Sequence, residues 1–404
     1  MLTRRRLLAG AAALAGLQAT AGCTLLLPDA GPARPYAAVP TSSAPLPPPR
    51  VLPPLRGFRG VDLSSLLLVE AAGWTFTDGG RTGPVEELTA ARGADLVRLR
   101  LWVDPRPGSS GSQATALTLA RRANAAGCHV LLALHYADTW ADPYTQPTPA
   151  AWAGQDLTRL AETVRTYTRE TVTAFAAQGT PPALVQIGNE VSAGLLWPTG
   201  QVVRGTRAEW DRVATLLAAG IRGAQEAGSG DLRTLLHSDI GGDAERAAEL
   251  FRNVIARGAS PDVLGLSFFP WWHGTLSDLQ TNLNGLARRF DRPVAVVETA
   301  YPWCVPVVDT RGVNVAELHV RRADQLPEAR RFPPTPQGQA AFLTAMRGVV
   351  AAVPNGLGLG VVAWEPAWMP GIGPDGAPGP NRFASMTLFD WEGRGLPALE
   401  VLRP

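Results

Sequence analysis

The sequence predicts a single (β/α)8 barrel of the α/β class, spanning residues 55–404. Three observations carry that reading. From Gly57 onward, short apolar runs alternate with amphipathic helical patterns, as parallel α/β folds require. The runs number eight, enough to close a barrel. Several end abruptly in polar residues, at the strand ends where barrels keep their functional groups. A doubly wound sheet is the alternative architecture, but it needs a glycine-rich phosphate-binding first turn, and Gly57-Phe58-Arg59-Gly60 is not one.

Taken in order, strands are expected near Gly57–Asp62, Leu96–Trp102, Val130–His135, Leu184–Glu190, Thr234–His237, Val263–Phe268, Val294–Glu298 and Gly360–Trp364. They read as nearly continuous apolar runs because parallel strands are covered on both faces. Helices with one apolar face are expected near Val85–Arg92, Ala114–Ala126, Leu157–Gln178, Arg207–Ala227, Ala244–Arg257, Leu276–Phe290 and Gln337–Val353, with a last turn near Pro397–Leu402. Three long connections, Trp102 to Ala114, Ala137 to Asp156 and Trp303 to Pro336, follow strands and fall on the C-terminal face.

The first residues belong to no core. Residues 1–23 read as an export signal, with Arg4-Arg5-Arg6, an apolar stretch from Leu7 to Leu17, and small residues up to Cys23. Thr3-Arg4-Arg5-Arg6-Leu7-Leu8 resembles a twin-arginine signal. Thr20-Ala21-Gly22-Cys23 resembles a bacterial lipoprotein box with Thr20 in place of the usual leucine, which would put a lipid on Cys23 and tether the chain to a membrane. Simple cleavage nearby, giving a secreted protein, is the alternative. Either way the protein is expected to be exported. Residues 24–54 are dense in proline, including Pro45-Leu46-Pro47-Pro48-Pro49, and make a semi-rigid spacer.

Composition narrows the partners. A formal charge of +2 with no basic stripe argues against nucleic acid. Twelve tryptophans against five tyrosines is a balance suited to stacking on the apolar faces of sugar rings. Cys128 begins one strand and Cys304 follows another, so they lie at opposite ends of a barrel roughly 20 Å deep and are expected as separate thiols.

Two runs repeat one design. Val185-Gln186-Ile187-Gly188-Asn189-Glu190 and Pro293-Val294-Ala295-Val296-Val297-Glu298-Thr299-Ala300-Tyr301 each deliver a glutamate at a strand end. Retaining glycoside hydrolysis needs such a pair about 5–5.5 Å apart, one carboxylic acid to protonate the leaving oxygen and one carboxylate to attack the anomeric carbon. Glu190 is expected as acid/base, its neutral form favoured by burial and by the other carboxylate; Glu298 is expected as nucleophile, kept ionised by Arg98 or Arg100. Either glutamate alone also reads as a solvated strand end or a buried ion pair. Asn189 offers an amide to a sugar hydroxyl, and His135 and His237 offer neutral imidazoles. Trp102, Trp140, Trp197, Trp271, Trp272, Trp303, Trp364 and Trp368 follow or end strands on the same face, where they could pack as core or stack on sugar. His135, His237, Asp138, Asp142 and Glu190 show no metal-ligand spacing, so no catalytic metal is expected.

These stretches together resemble a known family. Arg98-Leu99-Arg100-Leu101-Trp102-Val103-Asp104-Pro105, His135-Tyr136-Ala137-Asp138 with Trp140-Ala141-Asp142-Pro143, Gly188-Asn189-Glu190 with Leu196-Trp197-Pro198, Pro270-Trp271-Trp272-His273-Gly274-Thr275-Leu276 and Val297-Glu298-Thr299-Ala300-Tyr301-Pro302-Trp303 are similar to glycoside hydrolase family 53, the arabinogalactan endo-β-1,4-galactanases. The resemblance runs from about Phe58 to Trp368. It implies a retaining double displacement on β-1,4-galactan, with Glu190 as acid/base and Glu298 as nucleophile. Substrate contacts are expected from Arg98, Trp102, His135, Asp138, Asn189, His237, Trp271, Trp303 and Trp364. A monomer without cofactor is expected. Some relatives hold a structural calcium, and the loop here gives no clear oxygen set, which leaves calcium open. Three places depart from the family pattern: Ser267-Phe268-Phe269-Pro270 lacks the usual tyrosine, Ala137 replaces a common serine, and Ala133 replaces Asp or Ser. Another β-glycan, or a tethered galactan-binding lipoprotein without turnover, are the competing readings.

Overall fold

Eight parallel strands close on themselves in the computed structural model, which describes residues 48–228, 231–306, 308–309, 313–373 and 379–404. The export signal, Cys23 and most of the spacer lie outside the described residues. The strands are β1 (Phe58–Asp62), β2 (Leu96–Leu101), β3 (His129–Leu134), β4 (Leu184–Ile187), β5 (Arg233–Ser238), β6 (Val263–Phe268), β7 (Val294–Thr299) and β8 (Gly358–Ala363). Each pairs with the next, and β8 returns to β1. Helices cover the outside: α1 (Leu66–Ala71), α2 (Val85–Ala91), α3 (Gln113–Ala125), α4 (Leu157–Ala177), α5 (Arg207–Ala227), α6 (Ala244–Ile255), α7 (Pro270–His273), α8 (Leu276–Phe290) and α9 (Pro336–Ala351). The chain ends in a short turn, Pro397–Leu402.

The expected (β/α)8 barrel is therefore present, with adjustments. Short α1 and α7 and two small hairpins were not expected. The fourth strand stops at Ile187 rather than Glu190, because Gly188 (φ 75°) and Glu190 (φ 49°) turn the chain into left-handed conformation. The longer helices start on side-chain caps: Ser112, Asp156, Asp243 and Thr335 each accept a backbone N–H of the first turn, and Thr206 with Glu209 forms a reciprocal capping box. Cys128 and Cys304 are buried thiols not joined to each other.

Strand alternation divides the core in two. Leu96, Leu131, Ala133, Leu184, Leu235, Val263, Ala295 and Val297 fill the barrel, while Val97, Leu99, Leu132, Val185, Leu236, Leu264 and Val296 pack outward beneath the helices. Continuing the inward series toward the C-terminal end brings Asp62, Arg98, Arg100, His135, Gln186, His237 and Ser267, all buried. The lower barrel is an apolar plug and its top layer is polar.

Glu298 breaks the alternation. Ala295 and Val297 already face inward, so a regular strand would send residue 298 outward. The register slips here instead: Leu266 pairs with Val296 but Ser267 with Glu298, and the pairing to β8 shifts between Val296 and Thr299. This bulge, an extra residue on β7 against both neighbours, aims the glutamate into the barrel mouth.

At the closing seam, Phe58 pairs with Gly360. A Cβ on Gly360 would stand 2.1 Å from the carbonyl oxygen of Phe58, so the seam closes only around a bare backbone. Gly360→Ala is expected to destabilise the fold by about 1–3 kcal/mol through overpacking, read as a lower urea midpoint; an unchanged midpoint would contradict this account of closure.

Candidate active site

The site is built around Arg98, which is 1% exposed. Its Nη1 donates to Asp62 Oδ2 at 2.5 Å and its Nη2 lies 2.7 Å from Glu298 Oε1. Nε and Nη2 donate to Gln186 Oε1 and Nη2 donates to Asn189 Oδ1, all at 3.1 Å. Burial penalises the guanidinium charge, but Glu298 and Asp62 outweigh it and hold the group firmly protonated. Asp62 is anchored in turn by the backbone N–H and hydroxyl of Ser64. Of the two arginines expected near the nucleophile candidate, Arg98 is the one that touches Glu298.

Glu190 and Glu298 meet across the mouth. One oxygen of each and a ring nitrogen of His237 all lie within 4.8 Å of one another. Both carboxyls are pushed above the ordinary glutamate value, but unequally. Glu190 is raised strongly, first by burial, then by Glu298, Asp239 and Asp142, with the hydroxyl of Ser267 opposing. Burial also raises Glu298, but Arg98 and Arg100 pull it back. The pair therefore favours a neutral Glu190 beside an ionised Glu298, the polarity that acid-assisted displacement requires.

His237 is fully buried and bonded on both sides, with Nδ1 2.9 Å from Asn189 Oδ1 and Nε2 2.9 Å from Ser267 Oγ. Burial and Arg98 keep it neutral. With both its ring nitrogens occupied and Glu298 already held by Arg98, the His237, Glu190 and Glu298 donor set does not fit a metal ion.

An aromatic rim surrounds this pair. Arg100 donates to Ser110 Oγ at 2.8 Å, pairs with Glu365 at 3.3 Å, and lays its guanidinium 4.1 Å over Trp140 and 4.9 Å over Trp102. Glu365 is held by the hydroxyl and backbone N–H of Ser65; burial and then Asp62 push it up to about 7. Trp140 stacks on Trp368 with a 6.2 Å centroid separation, while Trp364 and Phe383 lie 4.5 Å apart. Trp271 and Trp272 extend the rim, and Trp272 is 54% exposed. The indole N–H groups of Trp102, Trp140 and Trp271 and both ring nitrogens of His135 are buried without a partner among the described residues. Burial, Arg100 and Arg98 keep His135 neutral, so it can both donate to and accept from a ligand hydroxyl.

Of the residues expected from sequence, Glu190, Glu298, Arg98, Asn189, His135 and His237 converge on one mouth, and Trp102, Trp271 and Trp364 stand in its rim. Trp303 does not. It packs with Trp391, Val313 and Leu318 in a separate cluster, and its indole N–H is spent on Thr387. Asp138 lines a small cavity of about 120 Å³ with Trp102, Arg106, Ser109 and Thr139. Its oxygens accept from Asp104 N and Ala150 N, so it also ties two loops together. Phe268 packs in the outer core, whereas Phe269 joins the rim beside Trp271 and Trp364.

Sequence reasoning passed over Asp62, Gln186, Ser267 and Glu365. The first three are polar residues at inward positions of apolar strands. Glu365 closes the run Val361-Val362-Ala363-Trp364 just as Glu190 and Glu298 close theirs. Both signals were present.

Known proteins resemble this chain over most of its length. Residues 58–402 match the model of glycosyl hydrolase family 53. The chain is 33% identical over 354 residues to an arabinogalactan endo-β-1,4-galactanase of Thermothelomyces thermophilus, covering 86% of this chain and 98% of that protein. It is 35% identical over 350 residues to an uncharacterized protein of Niallia circulans, covering 85% and 93%. Among solved structures, the family 53 catalytic domain of Ignisphaera aggregans superposes with a TM-score of 0.78 at 30% identity, covering 91% of this chain and 99% of that one.

Removing the central cation should expose its role. Arg98→Ala leaves Asp62 and Glu298 as buried carboxylates without their partner, at a cost of about 3–5 kcal/mol near neutral pH. Glu298, already raised by burial, would lose the cation that pulls it back and titrate still further above its unfolded value, so its contribution to stability is retained at low pH and lost as pH rises through the folded value. The deficit in Tm relative to wild type should widen between pH 5 and pH 8; a deficit independent of pH would contradict this reading.

Proposed function

We propose, because the chain belongs to glycosyl hydrolase family 53, that it is an endo-acting, retaining hydrolase of β-1,4-galactosidic linkages in galactan and type I arabinogalactan. The observation that carries the reading is the separation of Glu190 and Glu298 within 4.8 Å, in environments that push their protonation states apart. Such a gap admits direct attack by one carboxylate but leaves no room for the intervening water of an inverting enzyme.

In the first step, Glu298 attacks the anomeric carbon while Glu190 gives its proton to the departing glycosidic oxygen. A covalent galactosyl ester on Glu298 results. In the second step, the Glu190 carboxylate takes a proton from water, which attacks the same carbon and releases Glu298. Arg98 stabilises the Glu298 charge before attack and after release. Asn189 and His135 meet hydroxyls of the sugar at the cleavage point, and the indole rim accepts further rings along the chain.

We place the working protein outside the cytoplasm, exported through residues 1–23 and tethered through the spacer by a lipid on Cys23. The intact mass of the mature N-terminus decides between that anchor and simple cleavage.

Linear β-1,4-galactan should yield oligosaccharides; no release, with cleavage of mannan or xylan in its place, would overturn the substrate assignment. Glu298→Ala should abolish turnover yet retain affinity for the glycan, and Glu190→Gln should lower kcat by about 10²–10⁴-fold. Because both carboxyls titrate above the ordinary 4.5, kcat/KM should form a bell displaced to higher pH. Activity is lost on the acid side as Glu298 gains a proton and on the alkaline side as Glu190 loses one. An alkaline limb at or below pH 5 would contradict the acid/base assignment.

A further inference from the structure

Ser267 is fully buried on β6, and its hydroxyl has one proton for two neighbours. Its Oγ lies 2.6 Å from Glu190 Oε1 and 2.9 Å from His237 Nε2. Which neighbour receives that proton is decided from the far end of a chain of hydrogen bonds. The N–H groups of Arg98 require acceptors, which fixes Gln186 Oε1 and Asn189 Oδ1 toward the guanidinium. Asn189 Nδ2 faces the Ala141 carbonyl at 2.9 Å, which fixes the same amide from its other end. Asn189 Oδ1 therefore confronts His237 Nδ1 at 2.9 Å. Gln186 Nε2 also lies 3.1 Å from that nitrogen, but its two hydrogens go to the Gly188 carbonyl and Asn189 Oδ1, each at 3.0 Å, so the ring nitrogen carries the hydrogen. In a neutral imidazole, Nε2 is then a lone pair, aimed at Ser267.

We propose that Ser267 is a positioning residue whose O–H rotates between His237 Nε2 and Glu190 Oε1 according to the charge on Glu190. The inference rests on Glu190 serving as acid/base. With Glu190 neutral and its proton on Oε1, the carboxyl donates to Ser267 Oγ and Ser267 donates to His237. Once the proton has left for the glycosidic oxygen, the hydroxyl swings and donates to the new carboxylate. No proton passes between residues; one O–H bond turns. Glu190 thus keeps a partner in both halves of the reaction, and the bond to its charged form is the stronger of the two.

The consequence is directional. Glu298 on β7, Asp239 after β5 and Asp142 after β3 all disfavour charge on Glu190, Arg98 on β2 favours it, and neutral His237 acts through Ser267. Ser267→Ala leaves those groups in place and removes only the hydroxyl. The alkaline limb of kcat/KM on linear β-1,4-galactan should move up by about 0.5–1 pH unit; a limb that stays where it is in wild type would overturn the proposal. A second reading needs no substrate. In wild-type protein labelled with ¹⁵N at its five histidines, with His237→Gln assigning the signal, the His237 ring should be neutral and protonated on Nδ1. A proton on Nε2 would overturn the proposal even if galactan is cut. Should wild type leave galactan intact, the substrate assignment falls and the ¹⁵N result alone decides this inference.

Discussion

One buried guanidinium holds the upper barrel together. Arg98 reaches Asp62 on β1, Gln186 on β4 and Asn189 just beyond it, and Glu298 on β7, so a single side chain ties three non-adjacent strands across the barrel. Taking that charge out of water is expensive, and the arrangement is tolerable only because two carboxylates and two amide oxygens meet the planar fork of donors. Lysine has neither the geometry nor the number of donors to replace it. Everything further out inherits its order: the amides fixed by Arg98 set the face of His237, His237 faces Ser267, and Ser267 touches Glu190.

The same tie distinguishes two chemically identical residues. Glu298 emerges at a bulge directly onto the cation, whereas Glu190 sits on a left-handed turn with carboxylates around it and a hydroxyl as its close partner. Apolar strands below exclude water and strengthen both effects. A carboxyl favoured neutral and a carboxylate favoured ionised thus stand side by side within one barrel mouth. Outside that mouth, Arg100 and Glu365 repeat the pattern one layer higher, where the guanidinium lies flat against Trp140 and Trp102 and steadies the indole rim rather than Glu298.

Much of this was legible in the chain. Apolar runs at regular intervals revealed the eight strands, and the two runs that end in glutamate pointed to Glu190 and Glu298. What stayed hidden depends on register or depth. Arg98 and Arg100 occupy successive inward positions of one strand, and only their height in the barrel assigns one to Glu298 and the other to Glu365. Nothing in Val296-Val297-Glu298 announces the bulge, because a bulge exists only relative to its neighbours. Ser267 stood out only as part of a stretch without the usual tyrosine, although Leu264, Leu266 and Phe268 facing outward put it inside. Trp303 and Trp364 both follow strands, yet the loop after β7 turns Trp303 into its own cluster with Trp391. Position after a strand selects the end of the barrel, not the direction of a ring.

The most direct test of the central claim is the anomeric configuration of the first product released from linear β-1,4-galactan, the proposed substrate, followed by proton NMR before mutarotation scrambles it. Carboxylates within 4.8 Å of each other predict two successive inversions, so the β-anomer of the new reducing end should accumulate first. First appearance of the α-anomer would contradict attack by Glu298 and the account built on its geometry.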